Sequence, residues 1–260
     1  MGKTKKKKKI QDPLETTMSL GDHLEELRMR LIRALVGLVV ASAICLIFCS
    51  KIIIFIEKPY LDVMGEQARL QTLAPADGII SYIKIALISG LIFSSPWVFY
   101  QIWMFIAAGL YPHEKRYVYH ATPFSAALFV TGALFFALIV APKTLEFLVL
   151  FNQRVLGVSS NFTFTNYISF ITMLMLIFGV AFQTPIAIYF LNRTGLVSIQ
   201  TFRRSRKFVL LGIFIVAAMA TPPDVISQVT LAIPIYALFE LGILLSWLAE
   251  RSKKSQDKSK

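Results

Sequence analysis

The chain has 260 residues, 56% of them hydrophobic and 16% charged, with a formal net charge of +12. The apolar residues are gathered into runs long enough to cross a bilayer, which excludes an ordinary soluble protein of one or two domains. The basic residues cluster between those runs, so the charge does not point to nucleic acid. Cys45 and Cys49 both fall in the first run, which excludes a disulfide framework and the usual zinc spacings.

Ser19-Leu-Gly-Asp22 has the spacing of a capping box, and Leu20, Leu24, Leu27 and Leu31 follow at helical intervals. This predicts an N-terminal interfacial helix that leads into the membrane. The first span is Leu31–Ile56, the second Ile79–Leu110 with Pro96 inside it, and the third Tyr119–Ala141, ending at Pro142. The fourth is Tyr167–Leu191, the fifth Phe208–Thr221 before Pro222-Pro223, and the sixth Val225–Leu248 with Pro234 inside it. Each proline is expected to kink or end its helix, because it removes a donor and clashes with the preceding turn. The fifth run rises only about 21 Å against about 30 Å of hydrocarbon. Segments five and six are either a re-entrant hairpin or two spans; the flanking charges favour two spans. The expected fold is an all-α polytopic membrane protein of six transmembrane helices, the last two short. The membrane domain is 19–248, with basic tails at 1–18 and 249–260. The loops 57–78 and 142–166 are expected to form amphipathic helices or a cap on the outer side.

Of the 27 basic residues, 21 fall in residues 1–33, the C-terminal tail and the loops 107–118 and 192–207. Lys51, Lys58, Arg69, Lys84, Lys143 and Arg154 remain for the opposite side. The positive-inside rule therefore places both termini in the cytoplasm. The Lys5–Lys9 run has no apolar segment behind it until Leu31, so it reads as a tail that touches anionic lipid rather than a cleaved signal.

Glu26 and Arg30 stand four apart on the polar face of the first helix, the spacing of a helix ion pair. Glu25-Glu26-x-x-x-Arg30 also matches an intramembrane metalloprotease pattern, but His23, His113 and His120 lack that chemistry's spacing. Glu114 lies in the short first cytoplasmic loop, as a solvated turn residue or a fixed carboxylate at the inner membrane face. Gln183 is mid-membrane, where a polar group must find a partner. Thr221, Asp224, Ser227 and Gln228 surround the double proline, and Asp224 is well placed to cap the sixth span. No Walker loop, metal-ligand cluster or nucleophile–base set is visible, so no enzyme and no cofactor are expected.

These blocks are similar to the TatC family, the multi-span receptor of the twin-arginine protein translocase. The likeness runs from about Ser19 to Leu248. It rests on His23-Leu-Glu-Glu-Leu-Arg28-x-Arg30, Ser95-Pro96, Tyr100-Gln-Ile-Trp-Met-Phe-Ile106 and Gly109-Leu-Tyr-Pro-His-Glu-Lys-Arg116. Phe178-Gly-Val-Ala-Phe-Gln-Thr-Pro185, Thr221-Pro-Pro-Asp-Val-Ile-Ser-Gln228 and Ala232-Ile-Pro234 complete it. The resemblance implies a signal-peptide patch of Glu26, Arg28, Arg30, Phe105 and Glu114. It implies contact with TatA-like and TatB-like single-span subunits at Thr221 and Gln228, and self-association. Pro59 matches a region important for transport in the family, whose members move folded proteins with the proton-motive force. Gln183 stands where the family often has Glu; it stays neutral, which speaks against a proton-coupled role there. Ala108 replaces a frequent proline. The implied location is a bacterial inner membrane. The competing reading is a small-solute or ion transporter, motivated by Gln183 and the kinked spans, but no internal repeat supports it.

Overall fold

The computed structural model describes residues 20–65, 68–109, 115–158, 161–221 and 225–257. Ser19, Glu114, Asp224, the whole N-terminal tail and residues 258–260 of the C-terminal tail lie outside them. Among the described residues the chain is helical throughout, apart from loops and an isolated bridge between Gln71 and Thr163. Helix α1 (Leu20–Ile47) leads into α2 (Cys49–Met64), and α3 (Asp77–Ala108) returns along α1. Helix α4 (Lys115–Phe135) passes through a π-helical segment (Phe136–Val140) into α5 (Ala141–Val155). Then come α6 (Phe164–Ala181), α7 (Thr184–Arg193), α8 (Ile199–Arg204), α9 (Arg206–Ala220) and α10 (Val225–Asp257).

Among the described residues, five helical stretches are long and apolar enough to cross a membrane: His23–Ile47, Asp77–Ala108, Ala121–Val155, Phe164–Arg193 and Val225–Arg251. Only 11% of the apolar window in the first is buried. Water does not tolerate a bare apolar helix of that size, so this surface faces lipid or a partner. The interfacial segment expected before the first span is the opening turns of α1 itself. Helix α9 has 15 residues and rises about 22 Å, short of the hydrocarbon thickness. Of the two final spans expected to be short, only this one is. Helix α10 continues through Pro234, and neither proline nor glycine follows Gly242 to stop it.

Pro142 does not end the third span, which is a correction to the sequence reading. The continuous apolar stretch has 35 residues and is about 52 Å long, so α5 must project beyond the hydrocarbon. The π-helical turn explains the continuity. A proline at 142 would clash with the carbonyl of Leu138 in a regular α-helix, and the wider turn before it relieves that contact.

Close approach of α1 to α3 is fixed by size. A Cβ on Gly90 would fall 2.3 Å from Ser42 Oγ and 2.6 Å from Ser42 Cα. Antiparallel register is then held by three bonds to backbone or side chain. Arg30 Nη1 donates to Gln101 Oε1 at 3.3 Å, Trp97 Nε1 to the Arg33 carbonyl at 2.9 Å, and Tyr82 OH to the Leu46 carbonyl at 2.8 Å. Helix α4 packs on α3 and α6, and α10 packs on α7 and α9.

The far end, where α1 finishes, is a helical cap of α2, α5 and their loops, as the long loops suggested. Buried Tyr167 donates its hydroxyl to the Ile56 carbonyl at 2.6 Å, and Tyr60 packs against Tyr167 and Phe162. Pro59 is buried in the same stretch of α2, next to Tyr60. Gln71 N–H donates to the Phe162 carbonyl at 3.3 Å, and Phe164 N–H returns a bond to the Gln71 carbonyl at 2.8 Å.

Replacing Gly90 with Val should push α1 off α3 and cost about 1–3 kcal/mol. Gly212 in α9 has open space around its Cβ position, so Gly212→Ala should be neutral or stabilise by up to about 1 kcal/mol. Thermal unfolding in detergent checks the pair; a Gly90→Val variant as stable as Gly212→Ala would contradict the packing.

Candidate functional site

The start of α1 and the end of α3 meet at one end of the bundle. Arg30 donates Nε to Glu26 Oε1 at 2.6 Å, and its Nη2 lies 2.6 Å from the same oxygen. This is the helix pair anticipated from the four-residue spacing. The third nitrogen, Nη1, reaches Gln101 Oε1 across the helix interface. Gln101 is only 2% exposed, so a fixed amide anchors the guanidinium and the guanidinium anchors the carboxylate. The second carboxylate oxygen of Glu26, Oε2, has no partner among the described residues, and the side chain is 31% exposed.

His23 stacks on Phe105, with ring centroids 4.6 Å apart and planes at 28°. A Cβ on Gly109 would sit 3.5 Å from His23 Cε1, so the imidazole lies along the end of α3. Phe105 is therefore half-buried and held against His23, one turn before Glu26 in α1. Arg28 and Glu25 are exposed on the same turns. Of the five expected patch residues, Glu26, Arg30 and Phe105 are gathered here, Arg28 flanks them, and Glu114 lies outside the described residues.

The other expected residues are elsewhere. Gln183 occupies the break between α6 and α7, just before Pro185, and donates Nε2 to the Ser125 carbonyl at 2.9 Å. Ser125 Oγ accepts from Trp103 Nε1 at 2.8 Å, so one serine joins α3, α4 and the α6–α7 break. Thr221 is buried and donates to the Ala217 carbonyl at 2.9 Å. Gln228 Nε2 donates to the Phe214 carbonyl at 2.7 Å, tying α10 to α9. Glu240 takes Arg206 Nη2 at 2.7 Å and the Tyr236 hydroxyl at 2.9 Å. Asp224, expected as a cap, lies outside the described residues.

Sequence reasoning missed Gln101, Ser125 and the packing role of His23. Gln101 and Trp103 stand inside the block Tyr100–Ile106, and a polar residue in an apolar span was the available signal. Among the described residues no group of three or more His, Cys, Asp or Glu is placed to hold a metal.

The family model described as "Sec-independent protein translocase protein (TatC)" matches residues 22–234. A protein of that name from Helicobacter pylori J99 is 35% identical over 238 residues, covering 92% of each chain. One from Aquifex aeolicus is 37% identical and covers 93% of this chain and 100% of its own. One from Escherichia coli K12 is 36% identical over 90% of each. A solved structure, "Crystal Structure of Twin Arginine Translocase Receptor- TatC", superposes with a TM-score of 0.79 at 36% identity, covering 88% of this chain and 99% of that one. With the apolar helices, these matches make this a multi-pass membrane protein, and the chain belongs to the TatC family of Sec-independent protein translocase proteins.

Proposed function

We propose that this chain is the receptor subunit that binds signal peptides bearing two adjacent arginines at the cytoplasmic membrane face. With small single-span partners it then moves folded proteins across a bacterial inner membrane, driven by the proton-motive force. It acts as a binding and transport subunit rather than an enzyme. The observation that carries this reading is Glu26: about one-third exposed, pinned through one oxygen by Arg30, with no partner for the other oxygen among the described residues. A guanidinium is always charged and binds a carboxylate through two parallel bonds, which an ammonium cannot do. Phe105, held against His23 one turn before it, offers an aromatic face for the same group. Glu114 directly precedes Lys115, the first residue of α4, and supplies the second carboxylate for the second arginine. Arg28 and Arg30 repel an incoming guanidinium; Arg30 orients Glu26, and Arg28 serves lipid phosphate. Basic residues at this end support termini on the cytoplasmic side.

Thr221 and Gln228 are proposed as the contact for TatA-like and TatB-like subunits. The Thr221 hydroxyl and one N–H of Gln228 are already used inside the chain, so a partner would meet their acceptor oxygens or the second Gln228 N–H. Pro59 acts by shaping the cap, and Gln183 by joining helices rather than by carrying a proton.

Binding of a twin-arginine peptide to the purified protein should exceed that of its twin-lysine counterpart by about 10- to 100-fold, the worth of one or two charged hydrogen bonds. Glu26→Gln should remove most of that preference while leaving thermal stability nearly unchanged. Equal binding of the two peptides would reject the site. Gln228→Leu should cost about 1 kcal/mol of stability through the lost Phe214 bond. It should reduce co-purification of a single-span partner far more than a Thr230→Val control does; equal co-purification would confine Gln228 to a structural role.

A further inference from the structure

Under the junction of α1 and α2, at the end of the bundle away from Glu26, lies a cleft of about 600 Å³. Ile44 and Phe48 on one lip and Phe93 on the other are exposed, so the cleft opens on the apolar surface of the spans. Its depth is lined by Ile56 and Met175, which are buried, so it reaches between α2 and α6 rather than lying on the surface. The walls are apolar apart from Ser89 and Lys51. Lys51 Nζ lies 6.0 Å from the centroid of the exposed Phe48 ring, which places the ammonium at the mouth. Lys51 is itself exposed and has no carboxylate partner among the described residues. The membrane depth of this charge follows from α1. From Arg33 to Lys51 the nearly continuous helix rises about 27 Å, against about 30 Å of hydrocarbon, so Lys51 stands at the headgroup layer opposite Arg33. Its apolar stem lines the cleft while its charge reaches that layer.

We infer that this cleft binds one anionic phospholipid, with an acyl chain inside it and the phosphate on Lys51. From Lys51 back to Ala41 the cleft runs about 15 Å along the helix, the depth of one leaflet. Its volume lies within the roughly 300–1,000 Å³ of ordinary ligand sites. A helix about 10 Å across fills that volume in under about two turns, so a spanning partner does not enter it. A soluble anion has no use for the apolar walls. A zwitterionic lipid gains less, because its own ammonium opposes Lys51. Moving an acyl chain from bilayer to cleft exchanges one apolar surrounding for another, so selectivity rests on the lysine. One lysine near an anionic headgroup contributes about a fivefold preference.

The test uses delipidated full-length protein, native mass spectrometry and two added lipids, dioleoyl phosphatidylglycerol and dioleoyl phosphatidylcholine. One phosphatidylglycerol should be retained about fivefold more strongly than one phosphatidylcholine. Lys51→Gln should abolish that preference. Arg154→Gln, which removes an exposed cation in the last turn of α5 and outside the cleft, should leave it intact. Ala41→Trp and Leu134→Trp fill the cleft from two of its walls and should lower retention of both lipids with Lys51 in place. Circular dichroism confirms that each variant is folded. Equal retention of the two lipids by the unaltered protein, a preference that survives Lys51→Gln, or undiminished retention in both tryptophan variants would overturn the inference. An equal loss of preference in Arg154→Gln would do so too, by reducing the effect to general surface charge. So would competition by glycerol phosphate as effective as by the intact lipid, since the cleft would then be idle. Loss of self-association in the tryptophan variants with lipid retention unchanged would assign the cleft to a second copy of the chain instead.

Discussion

Hydrocarbon offers no hydrogen bonds, so a polar side chain in a spanning helix must find its partner inside the protein. That constraint organises this molecule. Gln101 holds Arg30, Ser125 joins Trp103 and Gln183, and Gln228 ties α10 to α9. Each bond joins two helices, and each is individually worth only about a kilocalorie per mole. Apolar packing against lipid is nearly neutral, so small-residue contacts such as Gly90 on Ser42 and these few polar junctions set which helices meet and at what register.

The functional surface follows from the same constraint. Arg30 engages Glu26 and Gln101 through all three of its nitrogens and is fixed between α1 and α3. Fixing it fixes Glu26, whose second oxygen has no partner among the described residues, while Phe105 stacks on His23 one turn earlier in α1. A flexible carboxylate would lose side-chain freedom on binding; this one has already lost it, which favours tight recognition of a guanidinium. The weakness of an exposed i,i+4 ion pair in isolation is no objection, because the pair's role here is orientation.

Much of this was legible in the residues. The apolar runs located the spans, although the first, expected to reach Ile56, ends at Ile47 and gives way to α2, and the four-residue spacing of Glu26 and Arg30 anticipated their pairing. The short fifth span was visible because Pro222 follows Thr221 so soon. Two other features were not legible. Pro142 looked like a terminator, since periodicity gives no sign of the π-helical turn that carries the helix on to Val155. Gln101 looked like one more residue in an aromatic block, because a partner 71 positions away leaves no local pattern. Long-range polar contacts are invisible to spacing arguments for that reason.

The most direct test of the central claim is a double-mutant cycle between Glu26→Gln in the protein and arginine-to-glutamine changes in a twin-arginine peptide, read by equilibrium binding. A coupling of about 1.5–3 kcal/mol is expected with one of the two arginines, the value for a hydrogen bond between charged groups. Additive effects, with no coupling to either arginine, would contradict direct contact between Glu26 and the peptide.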